Sequence, residues 1–290
     1  MSVKPEHIKL LREKTGAGMM DCKSALNETD GDLERAEEWL RKKGINTAQK
    51  KSAREASEGL VTVSIKDSSG VIIEINSETD FVARNENFQK FCLDITNLCL
   101  IKKIDDKESL LKAEFSDSGK TVEDELTNVI SKLGENIVIK KLNSEFKKGF
   151  FFQKYLHSAI SENSGKIGVM LSFSANHFNE KVDLFSKQLC MHIAASDPIA
   201  MEVENLDQEI INKERAIYHE QLKSSGKPEN ILEKIVDGKI KKFYTEVCLL
   251  EQIFVIDNKT TIKESIINFN KENSEEFKIN NFIMYKLGQD

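Results

Sequence analysis

The sequence contains little proline and little cysteine, and its cysteines are not spaced for pairing or for metal binding. Of 290 residues, three are proline and five are cysteine, and no C-x-x-C pair occurs. An odd number of cysteines without such pairs indicates neither a disulfide framework nor a zinc site. We therefore interpret them as small apolar residues of a reduced protein. They are Cys22, Cys92, Cys99, Cys190 and Cys248.

Long apolar runs and an excess of positive charge are also missing. No apolar stretch approaches the ~20 residues that cross a bilayer. Charged residues occur throughout the N-terminal stretch MSVKPEHIKLLREKTG, which indicates neither a signal peptide nor a transit peptide. The net charge of -6 at pH 7 argues against a general nucleic-acid binder, which needs a basic field. We expect a cytoplasmic protein that binds neither membranes nor nucleic acid.

Sequence motifs for catalysis, metal binding and nucleotide binding do not occur. No histidine belongs to an H-E-x-x-H motif or stands at metal-ligand spacing with a cysteine or carboxylate. Phosphate-binding loops of the types G-x-x-x-x-G-K-[ST] and G-x-G-x-x-G are missing, as is the G-x-S-x-G elbow. We therefore expect no metal, no cofactor and no directly bound nucleotide, and a protein that acts by binding rather than as an enzyme. The histidines are His7, His157, His177, His192 and His219.

The first 45 residues are predicted to form a compact domain of three short helices. Pro5 suits a first helical turn, Gly16 ends that helix, and a second one follows. Leu33 and Leu40 lie on one face of a third helix that is predicted to end at Gly44. Residues 46–58 have no apolar stripe and are predicted to be a solvated linker or a fraying helix.

The rest of the chain is predicted to contain two related β-β-α-α-β modules, so that the fold class is α+β with antiparallel sheets. After Gly59 the apolar period becomes two on either side of the turn KDSSG, which is typical of a β-hairpin. A helical stripe, a second helix and a strand follow, and the same order recurs later in the chain. We assign 59–146 to the first module, and 147–206 with 243–290 to the second.

Residues 207–242 interrupt the second module. They read as two charged helices separated by the turn SSGKP. We predict an antiparallel helical hairpin, which usually packs against a partner or a second copy of itself. A hairpin folded flat onto its own domain is the alternative.

The stretch EINSETDFVARN, residues 74–85, places an aromatic residue between a strand and a helix. If the helix that carries Phe88 began at Phe81, its apolar face would need further apolar residues where Arg84 and Asn85 stand. Phe81 is therefore assigned to a corner, for which Thr79 or Asp80 is a candidate helix cap. From the residues alone, Phe81 is either buried or exposed as an interaction residue.

Two signatures and several further stretches resemble one protein family. EINSETDFVARN and LLREKTGAGMMDCKSAL (residues 10–26) are similar to the two signatures of the elongation factor Ts family. The similarity continues through KLGENIVIKKL, KIGVML, MHIAAS and EVCLLEQIFV. The resemblance implies an N-terminal ubiquitin-associated-like three-helix domain, a core of two related sheet subdomains, and an inserted coiled coil that can mediate dimerisation.

The resemblance also implies a function and a set of contact residues. Members of the family are guanine-nucleotide exchange factors that bind the GTPase elongation factor Tu and promote release of its GDP. Asp80 and Phe81 would press into the GTPase near its magnesium site. The other implied contact residues are Arg12, Met19, Met20, Thr79, Val82, Leu133, Gly134 and His157.

Other functions stay open at this stage, and one departure from the family pattern stands out. A ubiquitin-associated-like adaptor without exchange activity would explain residues 1–45 but not TDFVARN. An enzyme with scattered catalytic residues would require a deep polar cleft. The chain ends at FIMYKLGQD, so the extra C-terminal helix that some family members lay against the GTPase is not expected here.

Overall fold

The computed structural model describes residues 4–115, 119–223 and 228–289. In chain order its elements are α1 (Pro5–Thr15), α2 (Met19–Glu28), α3 (Leu33–Lys51), β1 (Glu58–Lys66), β2 (Ser69–Ser77), α4 (Asp80–Ala83), α5 (Glu86–Lys102), α6 (Lys107–Lys112), α7 (Val122–Leu133), β3 (Ile137–Phe146), β4 (Phe151–His157), β5 (Ser164–Gly165), β6 (Ile167–Ser174), α8 (Glu180–Ser196), α9 (Gln208–Leu222), α10 (Glu229–Val247), α11 (Ile262–Asn273) and β7 (Lys278–Lys286). Within these ranges no helix has both the length and the apolar character to cross a membrane. The predicted α+β class with antiparallel sheets is confirmed.

Helices α1, α2 and α3 form the predicted N-terminal three-helix domain. Leu11, Cys22, Leu26 and Ala36 are almost fully buried in one apolar cluster between them. Gly16 ends α1 in a left-handed conformation (φ 67°), as the sequence predicts. Asp32 caps α3 by accepting a hydrogen bond from the backbone N–H of Arg35.

The prediction that the third helix ends at Gly44 is wrong, because α3 continues to Lys51. Gly44 is buried where α3 packs against α7, and a β-carbon added there would lie 3.7 Å from Thr127 Cγ2. Gly44 therefore lies in a helix–helix contact and not at a helix end, and the space there would also admit a methyl group. The energetic cost of a helical glycine, ~1 kcal/mol, is small beside the contacts that α3 gains.

The first module contains a four-stranded sheet in the order β3-β2-β1-β5. The predicted hairpin is confirmed, since β1 and β2 pair antiparallel from Glu58↔Ser77 to Lys66↔Ser69. The segment predicted only as a turn, SENSG, also supplies β5, which covers the free edge of β1. There the hydroxyls of Thr62 and Ser164 are 2.8 Å apart.

The second module repeats the strand order of the first. Its sheet is β4-β6-β7, so in both modules three strands pair in chain order. Between the second and third strands each module has a 17-residue helix and a 12-residue helix, and in the second module α9 and α10 lie between these two. The second and third strands of each module also share one register irregularity. It lies between Glu74 and Ile75 in β2 and between Ser172 and Phe173 in β6. The predicted pair of β-β-α-α-β modules is therefore present.

The two sheets pack face to face, and helices cover both outer faces. Val61, Ile72, Phe152 and Met170 form a shared apolar cluster between the sheets. On the outer faces, one cluster joins β1, β2 and β3 to helices α5 and α7, and another joins β6 and β7 to α8 and α11. The core is thus a four-layer α-β-β-α arrangement, with both faces of the central strands buried.

Helices α9 and α10 form the predicted antiparallel hairpin. Arg215 on α9 contacts Asp237 on α10 at 2.5 Å. One turn later on α9, His219 contacts Glu233 at 3.2 Å, and Glu233 lies one turn earlier on α10, so the two helices run in opposite directions. Among the described elements, the main contacts of this pair are with each other and with the 3-10 helix Leu249–Glu251 at its base. The alternative of a hairpin lying flat on its own domain is therefore disfavoured. The predicted SSGKP turn lies largely outside the described residues.

Candidate functional site

Phe81 lies on a short helical corner between β2 and α5, and its side chain points away from the protein. The helix α4 has four residues, and α5 begins only at Glu86, so the predicted break at Arg84 and Asn85 is confirmed. Phe81 is 80% exposed. The question left open by the sequence is thereby answered in favour of exposure.

Val82 points in the opposite direction from Phe81. Val82 is 7% exposed and Ala83 is 2% exposed, and both belong to the apolar core of the first module. Val82 stays a predicted contact residue, but in the free protein its side chain is directed into the core. Val82 anchors the corner to the core, and this anchor leaves Phe81 on the outside.

Thr79 is fixed by a carboxylate from another part of the chain. Glu135, two residues after α7, accepts hydrogen bonds from the backbone N–H of Thr79 at 3.0 Å and from its hydroxyl at 2.6 Å. Thr79 occupies the N-cap position of α4, but its side chain makes no capping hydrogen bond. The predicted side-chain cap is therefore wrong for Thr79, whose hydroxyl is directed towards Glu135.

A second carboxylate, on the connection after β2, binds the connection after α7 in return. Glu78 accepts a hydrogen bond from the backbone N–H of Asn136 at 2.6 Å and forms an ion pair with Arg54 at 3.4 Å. These contacts lower the pKa of Glu78, chiefly through the Asn136 N–H and less through Arg54. Each connection thus supplies a carboxylate that binds the backbone of the other. We call Glu78 and Glu135 with these partners the crossed clamp.

The crossed clamp brings the predicted contact pair Leu133 and Gly134 next to the corner. Leu133 ends α7, and Gly134 follows in a left-handed conformation (φ 75°) immediately before Glu135. The ammonium group of Lys51, at the end of α3, donates a hydrogen bond to the carbonyl oxygen of Gly134. Three separate segments of the sequence therefore meet at this corner.

The predicted contact residues of the N-terminal domain are also exposed. Met19 is 60% exposed and Met20 is 70% exposed at the start of α2, and Arg12 is exposed on α1. The turn between these helices approaches α7 closely, since a β-carbon added at Gly16 would lie 2.5 Å from the Lys132 side chain. A cleft of about 690 Å³ separates the two elements, and Arg12 is among its lining residues.

His157 lies at the end of β4 and is exposed. Its carbonyl oxygen accepts a hydrogen bond from the backbone N–H of Lys166, whose ammonium group pairs with Glu58 at 3.6 Å. Glu58 in turn pairs with Ser77 in the β1–β2 ladder. These contacts link His157 to the end of the β1–β2 ladder from which the corner begins, although His157 itself lies on the other sheet.

The negative charge of Asp80 is partly compensated within the corner itself. Its carboxylate lies 3.7 Å from the guanidinium of Arg84, one helical turn later, and both side chains are substantially exposed. Such an exposed pair contributes little to stability. Asp80 is consequently free to exchange Arg84 for another partner at low cost.

Sequence reasoning missed Glu135 as part of the site. Its hydrogen-bond partner Thr79 is 56 residues away, and no local period or spacing relates the two positions. The only signal was its place within KLGENIVIKKL, one of the stretches that carry the family resemblance. Glu78 stood in the corner signature, but the signature did not reveal its contact with Asn136.

One cluster of possible metal ligands was not indicated by the sequence. Ligand atoms of His219, Glu229 and Glu233 lie within 4.8 Å of one another on the helical hairpin. The hairpin brings together residues whose sequence spacing gave no indication of this. The cluster is largely exposed, and Arg215 already contacts Glu233 at 3.4 Å. An arrangement of this kind does not by itself define a metal site.

The fold and the corner together define a class of protein, in which two repeated antiparallel sheet modules hold an aromatic side chain outward beside a small helical domain. Comparison with known proteins identifies the family within that class. The family model described as "Elongation factor TS" matches residues 78–289. The chain belongs to the elongation factor Ts family, which is a family of translation elongation factors.

Individual relatives are similar over nearly the whole chain. Elongation factor Ts of Rhodospirillum centenum is 44% identical over 282 residues, covering 97% of this chain and 92% of the relative. Elongation factor Ts of Rickettsia felis is 44% identical over 284 residues, covering 97% and 91%. That of Rickettsia bellii is 42% identical over 291 residues, covering 100% and 93%. The family resemblance seen in the sequence is thereby confirmed.

Proposed function

We propose that this protein is a guanine-nucleotide exchange factor for elongation factor Tu. It binds the GDP form of that GTPase, perturbs its Mg²⁺ and phosphate site, and promotes release of GDP so that GTP can bind. The observation that carries the proposal is the exposure of Phe81, 80%, on a corner that the core and the crossed clamp hold in place. Family membership supplies the partner.

The proposed contact surface joins three parts of the molecule. Asp80 and Phe81 form its centre, and Thr79, Leu133 and Gly134 lie beside them. Met19 and Met20 extend the surface onto the N-terminal domain with large, flexible apolar side chains suited to binding. Arg12 and His157 would form its two polar edges.

Exchange follows from a difference in affinity between two states of the GTPase. A factor accelerates release by binding the nucleotide-free state more tightly than the GDP state, since only differential affinity shifts an equilibrium. The coupling is reciprocal, so bound nucleotide weakens the factor as much as the factor weakens nucleotide. A coupling of ~4 kcal/mol corresponds to roughly a thousandfold change in affinity.

Phe81 and Asp80 have different parts in this coupling. Burial of a phenylalanine side chain provides ~1.5–3 kcal/mol when a pocket opens to receive it. That energy is available only in the state of the GTPase that has such a pocket, which makes the contribution differential. Asp80 would bring negative charge towards the metal and phosphate region and would exchange its internal partner Arg84 for groups of the GTPase.

The test is the substitution Phe81→Ala, with Ile101→Ala as the matched control. Ile101 is 72% exposed and lies near the far end of α5, about 22 Å from the start of that helix. Both changes remove an exposed apolar side chain. We expect Phe81→Ala to slow factor-stimulated release of a fluorescent GDP analogue from elongation factor Tu at least about tenfold, and Ile101→Ala to leave it unchanged. Release by Phe81→Ala at the wild-type rate would refute the proposal.

The partner itself is tested by capture under two nucleotide conditions. Elongation factor Tu is expected to bind the immobilised protein strongly without nucleotide and weakly with excess GDP and Mg²⁺, because the coupling is reciprocal. Equal binding under both conditions would leave an adaptor rather than an exchange factor. We further propose that the protein acts in the cytoplasm without a cofactor of its own and forms a homodimer through the hairpin.

A further inference from the structure

The Glu135 half of the crossed clamp has a counterpart at the same place in the fold of the second module. Glu275 follows α11 as Glu135 follows α7, each as the second residue after the helix. Glu275 accepts hydrogen bonds from the backbone N–H of Asn176 and from the side-chain amide of Asn179, both at 3.1 Å. In each module a glutamate therefore holds the connection that follows the second strand.

The two held connections differ in what they present. In the second module the aromatic residue of the connection, Phe178, packs against Phe151 and Phe173 of its own module, with ring centroids 5.4 and 6.4 Å apart. In the first module Phe81 has no such support, being 80% exposed. The direction of its side chain depends on the backbone beneath it.

The other side-chain hydrogen bonds to that backbone come from residues close in the chain. The Ser77 hydroxyl donates to the Thr79 carbonyl oxygen at 2.9 Å, and the Gln89 side-chain amide donates to the Ala83 carbonyl oxygen at 3.3 Å. The helix α4 has four residues, and a helix of that length is not stable by itself. Val82 anchors it from below, and Glu135 fixes the residue at its N-cap position. Hydrogen bonds to a carboxylate are stronger and more directional than those between neutral groups.

We propose that Glu135 is a positioning residue for nucleotide exchange, which holds Thr79, Asp80 and Phe81 in the binding geometry before the partner arrives. Glu78 completes the clamp from the other side. This inference rests on the proposed function. Glu135 acts through Thr79, and the ring of Phe81 makes the contact.

A positioning role predicts a particular kinetic signature. If only a fraction of the molecules has the corner in the binding geometry, the apparent affinity falls by that fraction. Once bound, the partner itself orders the corner, so that the rate at saturation is retained. Loss of the clamp therefore raises KM for the GTPase, whereas loss of the Phe81 ring lowers kcat.

The experiment compares Glu135→Gln with Glu275→Gln, the same change in the matching position of the other module. Glu135→Gln keeps the side-chain volume but removes the charge, so two charge-assisted hydrogen bonds to Thr79 are replaced by weaker neutral ones, in which the Thr79 hydroxyl accepts from the amide. We expect KM for elongation factor Tu·GDP to rise about tenfold, equivalent to about 1.4 kcal/mol, with kcat retained. Backbone amides of residues 79–83 are expected to exchange hydrogen faster by mass spectrometry. Glu275→Gln is expected to change neither quantity.

Each contrary result has a definite meaning. An unchanged KM, a fall in kcat at unchanged KM, or an equal rise in KM for Glu275→Gln would overturn the positioning role. Should Glu135→Gln fail to fold, Thr79→Val removes the donor hydroxyl with a similar shape and is expected to raise KM, and Thr79→Ser is expected to restore it. Wild-type protein that does not accelerate GDP release would overturn the proposed function itself, whereas active wild type with an unaffected Glu135→Gln variant would overturn this inference alone.

Discussion

The two sheet modules share one framework and differ in where it is extended. Helices α5 and α8 both have 17 residues, and each begins after an asparagine N-cap, Asn85 or Asn179. Helices α7 and α11 both have 12 residues and begin with a capping box, from Thr121 or Thr261. These shared features determine where the strands and helices lie. The candidate functions are found where one module departs from the other.

The first departure is the corner. When β2 and β6 are aligned by their register shifts, Ser77 and Ala175 occupy equivalent positions in the two modules. Eight positions separate Ser77 from the N-cap Asn85, but only four separate Ala175 from Asn179. The additional length equals that of α4, Asp80–Ala83. Phe81 therefore lies on a four-residue segment that has no equivalent in the second module.

The second departure is the hairpin, which extends the second module between α8 and α11. Its exposed faces carry Ile210, Ile217 and Ile231, between 37 and 44% exposed. Ile210 and Ile217 are seven residues apart on α9 and thus lie on one face. If this face binds a second copy of the chain, the two extensions have separate tasks: exchange at the corner and self-association at the hairpin.

Truncation of the hairpin is the change with the largest expected effect. Ile211, Val236 and Ile240 belong to the apolar cluster at the hairpin base and should remain, so we would remove residues 216–235 and join Arg215 to Val236 by a short turn. We expect loss of the dimer by sedimentation, with GDP release from elongation factor Tu much less affected. An unchanged mass would contradict self-association through the hairpin, and a parallel loss of exchange would contradict separate tasks.

Local sequence patterns predicted the shared framework well and the long-range contacts poorly. The period-two stretches on either side of KDSSG gave the β1–β2 hairpin, because the pattern of a hairpin is complete within about twenty residues. The continuation of α3 past Gly44 depends on α7, some eighty residues later. Glu135 was missed for the same reason, since its partner Thr79 is 56 residues away.

The exposure of Phe81 was predictable from the local sequence pattern only in part. The interruption of the apolar pattern at Arg84 and Asn85 correctly separated the corner from α5. The pattern did not decide which way the ring points. That depends on Val82, whose burial requires the assembled core of the first module.

The interface between the two sheets contains one glycine from each module at equivalent positions. Gly70 in β2 and Gly168 in β6 occupy matching positions and face the opposite sheet. A β-carbon at Gly168 would lie 2.6 Å from Val61 Cγ1, and one at Gly70 would lie 2.5 Å from Met170 Sδ and 2.7 Å from Phe152 Cδ1. Both glycines therefore permit the close approach of the sheets.

We expect Gly168→Ala to lower the free energy of unfolding by about 2–3 kcal/mol and Gly70→Ala by about 1 kcal/mol. Val61 is stiff at χ1, so the backbone must move to admit the new methyl group at position 168. At position 70 Met170 can change rotamer, and the remaining loss comes from a shift of the Phe152 ring. Urea denaturation of the two variants against wild type measures the difference. Equal losses would show that the sheets adjust as rigid layers rather than through individual side chains.

A buried histidine distinguishes the helix α8 from its counterpart α5. His192 is fully buried, and counting from the N-caps it corresponds to Leu98. Its Nε2 lies 2.9 Å from Gln252 Oε1, and its Nδ1 lies 3.3 Å from the backbone N of Val255. The Gln252 side-chain amide donates in turn to the carbonyl of Glu246, near the end of α10. This network joins α8 to the base of the hairpin.

The last prediction concerns pH and has the smallest expected effect. Burial lowers the pKa of His192, and the hydrogen bond to Gln252 opposes this only in part. The neutral ring can donate to Gln252 and accept from Val255, whereas a protonated ring would have two donors and would face the Val255 N–H with one of them. Its contribution to stability is therefore complete above the unfolded pKa of about 6.5 and is lost as the pH falls through the lower folded value.

We expect the free energy of unfolding from urea titrations to decline over this window, and the decline to be smaller in His192→Leu, which introduces the residue found at position 98. The variant will be less stable at every pH, since Gln252 and Val255 lose a partner, so the slope is the informative quantity. Equal slopes in the two proteins would assign the acid sensitivity to other groups.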